Sequence, residues 1–416
     1  MITVFAAQNG RRRGPALALT ELEVLATGRT MSMLHDDMAR NDAALRSRLA
    51  GRRVAIIGAA GSIGSSVLRA LLPYEPGALV LFDLNENMLV EVVRELRSSD
   101  DLRVPDVFEA LPIGLGSLEC ARYFREQAPF DVVFNLSALK HVRSEKSVYS
   151  LIRLLDTNCL FVADLLAGLS AQPPANVFSV SSDKAVNPAS LMGASKLAME
   201  RVMAVSGLPY STARFANVAF SEGSLPQGFL RRLQKGQPLS APNDVVRYFI
   251  SHEEAGQLCV LAAGLMDGGQ TLVPRMDAVQ HTQRFDEIAR RVLQAHGYEP
   301  VECASEDEAR SRAASLIAEG RWPCYFAPSD TSGEKPYEEF YDEGGTVDNT
   351  RFEAVQVVPP PALSAAEAAD VTVFLEYLRT AKHDVSQGID EYAAVLARVV
   401  PGLRHIRTGR TLDEKM

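Results

Sequence analysis

The chain has 416 residues, of which 47% are hydrophobic and 23% charged, and its formal net charge is −9. This length supports a sizeable core in one large or two moderate domains, and the dispersed Lys and Arg leave no basic stripe for nucleic acid or an anionic membrane surface. Five cysteines, odd in number and far apart, without CxxC or neighbouring His, argue against a disulfide framework or a zinc site and make a reducing cytoplasm the default.

At the start, Arg11-Arg12-Arg13 and the following GPALAL imitate an export signal, but Glu21 and Glu23 interrupt the apolar run. No later run approaches about 20 apolar residues, so an unexported protein without a membrane segment is expected. LTELEVLA and MLHDDMARNDAALRSRLA carry helical spacing, and residues 1–50 read as a helical extension for packing or oligomer contact. From Arg52 to residue 218 the rhythm changes. RVAIIG, LVLFD, DVVFNLSA, NVFSVSSD and YSTARFANV read as strands, with helices near 62–72, 85–97, 117–128, 147–170 and 190–207. Apolar strands separated by such helices predict βαβ units, hence an α/β fold whose doubly wound parallel sheet is covered on both faces. The expected division is the extension at 1–50, a Rossmann-type domain at 51–218 and a smaller, mainly substrate-binding domain at 219–416, parts of which return to the first. After the proline run 359–361, last helices are expected at 364–382 and 388–399.

VAIIGAAGSIGSSVLRALL places Gly58, Gly61 and Gly64 between a strand and a helix start. Glycines there let the backbone approach a pyrophosphate, which the free N–H groups and positive dipole end of the helix favour. The next strand ends in LVLFDLNE, so Asp83 stands where a carboxylate takes ribose hydroxyls; it would repel a 2′-phosphate, which favours NAD over NADP. The competing account is a glycine-rich turn in another α/β fold, with Asp83 as a helix cap.

The second cluster is SSDKAVNPASLMGASK, residues 181–196. In isolation it reads as a turn stopped by Pro188; at the end of a central parallel strand it lies on the edge where doubly wound sheets bind ligands. From residue 52 to 255 the chain resembles the extended short-chain dehydrogenase/reductase superfamily. Within it, NLSALKHV, SSDKAVNP, MGASK, RFANV and RYFIS resemble the 4,6-dehydratases acting on UDP- or GDP-linked N-acetylglucosamine. The superfamily's catalytic pair is a Tyr four residues before a Lys. Here Met192 stands four before Lys196, as in one branch of the dehydratases. The resemblance implies bound NAD against Gly58, Gly61, Ser62, Ile63, Gly64, Asp83, Ala138 and Lys196, and a homodimer or larger homo-oligomer through the helices near 147–170 and 190–207.

The implied reaction explains the residue types. The hydrogen on carbon 5 of a hexose becomes acidic once carbon 4 is a ketone, so hydride leaves carbon 4 for NAD⁺, water is lost across carbons 5 and 6, and hydride returns to carbon 6. Lys184 is assigned as the carbon 5 base, which needs a dry site or a nearby cation to lower its ordinary pKa of about 10.4. Asp183 is the acid for the 6-hydroxyl, Lys196 binds the nicotinamide ribose, and Ser182 hydrogen-bonds the 4-hydroxyl. Met192 exchanges no proton and packs against substrate or nicotinamide, leaving Asp183 or an ordered water to accept the 4-hydroxyl proton.

Lys140 and His141 face the same crevice, with a structural role competing for His141. Asn158, Arg214 and Asn217 either shape the site or bind the nucleotide sugar, with solvated or packing roles competing; Arg247 meets a diphosphate or is an exposed helix-end cation. In residues 320–345 the aromatics either cover a base or sugar or anchor a loop. No metal site is expected. Two rivals stay open: a nucleotide-sugar 4-epimerase, which depends on the missing Tyr, and an inactive NAD-binding structural or sensor protein.

Overall fold

The computed structural model describes residues 17–127, 129–278, 281–329, 338–342 and 344–405. Two helices come first, α1 (Leu19–Thr27) and α2 (His35–Leu49). The strands β1 (Arg53–Ile57), β2 (Ala78–Phe82), β3 (Val107–Leu111), β4 (Val132–Asn135), β5 (Asn176–Ser182) and β6 (Tyr210–Phe215) follow. Between them run α3 (Ser62–Leu71), α4 (Glu86–Ser98), α5 (Leu118–Gln127), α6 (Val148–Leu155), α7 (Phe161–Leu169) and α8 (Leu191–Val205). The later elements are β7 (Asn217–Val218), α9 (Leu225–Lys235), β8 (Leu239–Pro242), β9 (Val246–Ile250), α10 (His252–Leu265), β10 (Gly268–Pro274), β11 (Thr282–Arg284) and α11 (Phe285–Ala295). Then come β12 (Glu299–Glu302), α12 (Glu306–Ala318), β13 (Arg321–Ala327), β14 (Val355–Val358), α13 (Ala365–Ala381) and α14 (Ile389–Val399).

Eight strands form the main sheet in the order β14-β10-β6-β5-β4-β1-β2-β3. All its pairings are parallel except β14 with β10. Side chains alternate along a strand, so Val54 and Ile56 of β1 enter one apolar core while Ala55 and Ile57 enter the other. Residues of α2, α3, α4 and α10 close the first core, and those of α5 to α8, α13 and α14 the second. The fold is therefore the expected doubly wound α/β sheet. A third core, with Phe229, Phe249, Ile288 and Trp322, lies between the small sheets β11-β9-β7 and β12-β13-β8.

Three features depart from the sequence reading. β3 was not expected: it is an edge strand with Val107 half exposed, so it lacks the apolar run of its neighbours. The helix expected over 147–170 is two helices joined by a π-helical turn at Asp156–Leu160, every residue of which is buried. The part of the expected oligomer face that lies on α8 is covered by the chain itself. α13 and α14 pack on α8, Arg201 of α8 pairs with Glu367, and Val205 in the last turn is the helix's single exposed residue.

The expected N-terminal helices form and are stitched to the body. The Arg29 guanidinium grips Glu254 (Nη2 to Oε2, 2.6 Å), and the buried Asp37 carboxylate accepts the N–H groups of Glu353 and Ala354 at 2.7 and 2.8 Å. Arg11-Arg12-Arg13 lie outside the described residues. Among the described residues no helix is long and apolar enough to cross a membrane.

Candidate active site

The crevice lies at the C-terminal ends of β1, β2, β4 and β5, where each strand hands over to a turn. After β1 the chain passes through Gly58 (φ +82°), a conformation only glycine adopts freely. A Cβ there would stand 2.9 Å from Ser137 N, and one on Gly64 would collide with the carbonyl oxygens of Gly58 and Ala59. The turn is thus folded tightly enough to need both glycines. Gly61 then opens α3 without a side-chain cap, so the N-cap residue itself leaves the first-turn N–H groups at Ser62, Ile63 and Gly64 untaken. The Asp83 carboxylate, just past β2, accepts the Ala60 N–H at 2.9 Å and the Asn85 N–H at 2.8 Å. It holds the glycine turn with one oxygen edge. It is not the cap of α4, a role taken by Asn85 through Met88 N. A glycine cradle, an uncapped helix start and a carboxylate at the strand end fit a dinucleotide.

β5 ends at Ser182, whose hydroxyl donates to Asp183 Oδ1 at 2.7 Å and accepts from Lys184 N at 3.2 Å. The stretch is a turn, with Val186 N–H bonded to the Asp183 carbonyl and Asn187 at φ +41°. That turn also sets Lys184 Nζ 3.5 Å from Asp183 Oδ2. Asp183 is buried at 7% exposure, but Lys184 is 40% exposed, so the chain alone does not supply the dry surroundings expected of a neutral lysine. Lys140, beyond β4, has its pKa lowered by desolvation, with Glu222 opposing and the charge of Lys184 adding to the shift. Desolvation, Lys140 and Arg143 also lower the pKa of His141, whose ring lies against Gly223.

Lys196 of α8 is enclosed, with Nζ donating to the Val180 carbonyl at 3.1 Å. Burial lowers its pKa to about 8, against the opposing charges of Cys159 and Glu200. Met192, one turn earlier, is 2% exposed and joins the second apolar core. A thioether has no polar group to keep wet, which is why the core absorbs it. Its backbone N–H is held by Glu145 Oε1 at 2.7 Å.

Several weaker candidates resolve into supports. Asn158, in the π-helical turn, exchanges hydrogen bonds with both backbone groups of Leu139 and donates to Ser195, pinning the loop that bears Ala138, Lys140 and His141 onto α8. Arg214 is buried in a two-point pair with Glu200 and reaches the Phe340 carbonyl at 3.1 Å. Arg247 is 5% exposed on β9, which excludes the exposed helix-end account. In segment 320–345, Trp322 is buried with its indole N–H on the Gln237 carbonyl, anchoring the segment; residues 330–337 and 343 lie outside the described residues.

Glu338 was missed from the sequence. Its Oε2 accepts the Tyr248 N–H at 2.6 Å and its Oε1 the Asn217 amide at 2.5 Å. Burial, and then the charge of Asp183, push its pKa up to about 8, while the Tyr248 N–H, Lys184 and Arg247 pull the other way. The only available signal was an acid within the aromatic string YEEFYDEGG, which does not show what it faces.

Known proteins are similar to this chain in sequence and in fold. The chain is 29% identical to the uncharacterized membrane protein MJ1061 of Methanocaldococcus jannaschii, over 60% of this chain and 74% of that protein. It is 24% identical to the probable polysaccharide biosynthesis protein EpsC of Bacillus subtilis, over 80% of this chain but 51% of that protein, so it spans about half of that relative. A Campylobacter jejuni UDP-N-acetylglucosamine 4,6-dehydratase (inverting) is 23% identical over 58% of this chain and 71% of its own. Among solved structures, Pen from Bacillus thuringiensis superposes with a TM-score of 0.61 at 20% identity, covering 76% of this chain and 90% of that one. The dTDP-glucose 4,6-dehydratase DesIV of Streptomyces venezuelae, with NAD and TYD bound, gives 0.52 at 16%, covering 80% and 98%. The family described as polysaccharide biosynthesis protein matches residues 54–360, from β1 through β14, and the chain belongs to that family.

Proposed function

We propose that the protein is an NAD-dependent 4,6-dehydratase of a nucleoside-diphosphate-linked N-acetylglucosamine, forming the 4-keto-6-deoxy sugar. The observation that carries this reading is the Asp183–Lys184 pair, an acid and an amine 3.5 Å apart at the end of β5. An epimerase has no use for such a pair and needs the phenol that Met192 replaces.

The glycine turn 58–64, Asp83 and Lys196 would hold NAD, which supplies reversible hydride acceptance when bound. Asp183 accepts the proton of the 4-hydroxyl, and Ser182, already bonded to it, orients both groups. Lys184 then removes the carbon 5 proton once bound sugar covers its open side. Asp183 returns its proton to the departing 6-hydroxyl and water leaves; as hydride returns to carbon 6, the Lys184 ammonium gives a proton to carbon 5, and the pair is ready again. In this reading Arg247 and the Lys140–His141 loop bind the diphosphate and the sugar.

Incubation with UDP-N-acetylglucosamine and, separately, GDP-N-acetylglucosamine, followed by mass spectrometry, tests this. Loss of one water from either donor is expected and identifies the nucleotide. Unchanged mass from both, with NAD bound, removes the dehydratase reading in favour of an epimerase or a binding-only protein.

A further inference from the structure

Between β9 and α10 the chain passes from the lobe of the third core to the lobe of the main sheet: Phe249 belongs to the third core and its neighbour Ile250 to the first. Each side of that passage leads to a different part of the candidate site. β9 bears Arg247 and Tyr248. α10 lies so close to α3, the helix that follows the glycine turn, that a Cβ on Gly256 would stand 2.3 Å from the Ser66 carbonyl oxygen. The angle at this junction therefore helps to set where β9 stands relative to the glycine turn.

The two N-terminal helices meet the junction from opposite lobes. α1 belongs to the third core through Leu22 and Ala26, and Arg291 of α11 holds the Leu25 carbonyl at 2.8 Å. α2 belongs to the first core through Leu34, Leu45 and Leu49, and packs on α10 closely enough that a Cβ on Gly264 would stand 2.7 Å from Leu45 Cδ2. The link between them is fastened to the junction itself. The Arg29 guanidinium donates to both carboxylate oxygens of Glu254, at 2.9 and 2.6 Å, and to the Phe249 carbonyl at 3.0 Å. Glu254 in turn accepts the Ser251 N–H at 2.7 Å and the Met33 N–H at 2.9 Å, and Glu23 of α1 accepts the His252 N–H at 2.7 Å. Arg29 is 17% exposed and Glu254 2%, so water does little to weaken this two-point pair, which fixes orientation as well as charge. Both helices precede residues 54–360, so the family match does not include this clamp.

We propose that α1, Arg29 and α2 form a brace across the two lobes, and that Arg29 is a positioning residue for the sugar nucleotide. NAD, held by the glycine turn, Asp83 and Lys196, meets the lobe of the main sheet and is indifferent to the brace. A nucleoside-diphosphate sugar that reaches from Asp183 and Lys184 to Arg247 spans both lobes, and it binds the braced arrangement. Loosening the junction spreads the protein over arrangements of which only a fraction is competent. The apparent affinity for the sugar nucleotide falls by that fraction, whereas saturating sugar draws the protein back to the braced arrangement and kcat is kept.

The inference rests on the proposed placing of the sugar nucleotide, and one measurement is independent of that placing. Arg29→Met alone would leave the Glu254 carboxylate buried without its partner, a change that itself threatens folding. Arg29→Met combined with Glu254→Gln removes both charges and keeps a side chain able to complete the α10 cap. The native cysteines are buried, so spin labels on Ser98→Cys of α4 and Ser311→Cys of α12, both exposed positions, report the separation of the lobes by double electron–electron resonance. Without ligands the parent should give one narrow distance distribution and the double variant a broader one. Equal distributions would contradict the brace whatever reaction the protein catalyses. At saturating NAD, the KM of the double variant for UDP- or GDP-N-acetylglucosamine, whichever the parent converts, should rise about tenfold as the competent fraction falls to roughly a tenth, with kcat and calorimetric NAD affinity within about twofold of the parent. A lower kcat at unchanged KM would mean that the variant merely folds less well, and the inference would fail. If the parent converts neither donor the dehydratase reading falls, and the distance distributions still decide the brace.

Discussion

Lys196 and Met192 lie one turn apart on α8, and enclosure treats them differently. Burial disfavours the ammonium, so the pKa of Lys196 comes down to about 8, while the thioether of Met192 loses nothing by leaving water. A depressed lysine contributes stability above its unfolded pKa and loses that contribution as pH falls through about 8, so near neutrality the folded chain tolerates a charge it would rather shed. That charge is what the proposed nicotinamide ribose meets. NAD affinity, followed by calorimetry, should therefore weaken as pH rises through about 8, and Lys196→Met should be weaker throughout and flat across that range. Met192→Tyr tests the missing phenol. The thioether is enclosed, so the larger ring should lower thermal stability by about 1–3 kcal/mol without raising kcat. A large rate gain would show that the first oxidation lacks its base.

At the scale of elements, the glycine turn joining β1 to α3 is the part most tightly fixed by its neighbours. Gly64→Ala forces a methyl group onto the Gly58 and Ala59 carbonyls and should abolish NAD retention in equilibrium dialysis while far-ultraviolet dichroism stays close to the parent. This turn, Asp83 and the Ser182–Lys184 turn were legible in the sequence because each is local: a few residues state both the conformation and the chemistry. β3 was not legible, since an edge strand need not bury both faces and VFEAL shows no continuous apolar run. The break in the 147–170 helix was hidden for another reason. Asn158 is committed to Leu139, nineteen residues earlier, a partner that helical periodicity does not reveal. Arg214 and Arg247 looked like surface-capable cations, yet both are buried by strands and segments that assemble from far along the chain. Glu338 is the extreme case, separated by more than 150 residues from the pair it faces.

Across the whole molecule, both helical additions lie outside the span matched by the family. α1 and α2 precede it, and α13 and α14 follow it. The C-terminal pair covers the helix that bears Lys196, with Phe374 of α13 wholly buried in the second core and Lys382 paired to Asp156 in the π-helical turn at 3.1 Å. Phe374→Ala should cost about 3–5 kcal/mol in denaturant unfolding, and in an otherwise folded sample should loosen NAD as well, because α8 loses its backing. An unfolding midpoint that does not move would show that α13 is not part of the cooperative unit. The central claim, that Lys184 removes the carbon 5 proton of a nucleotide-linked sugar, is tested most directly in heavy water. The parent should release product with one solvent deuterium on carbon 5, whereas Lys184→Ala, still binding NAD, should release none; equal labelled product from both proteins would contradict the account.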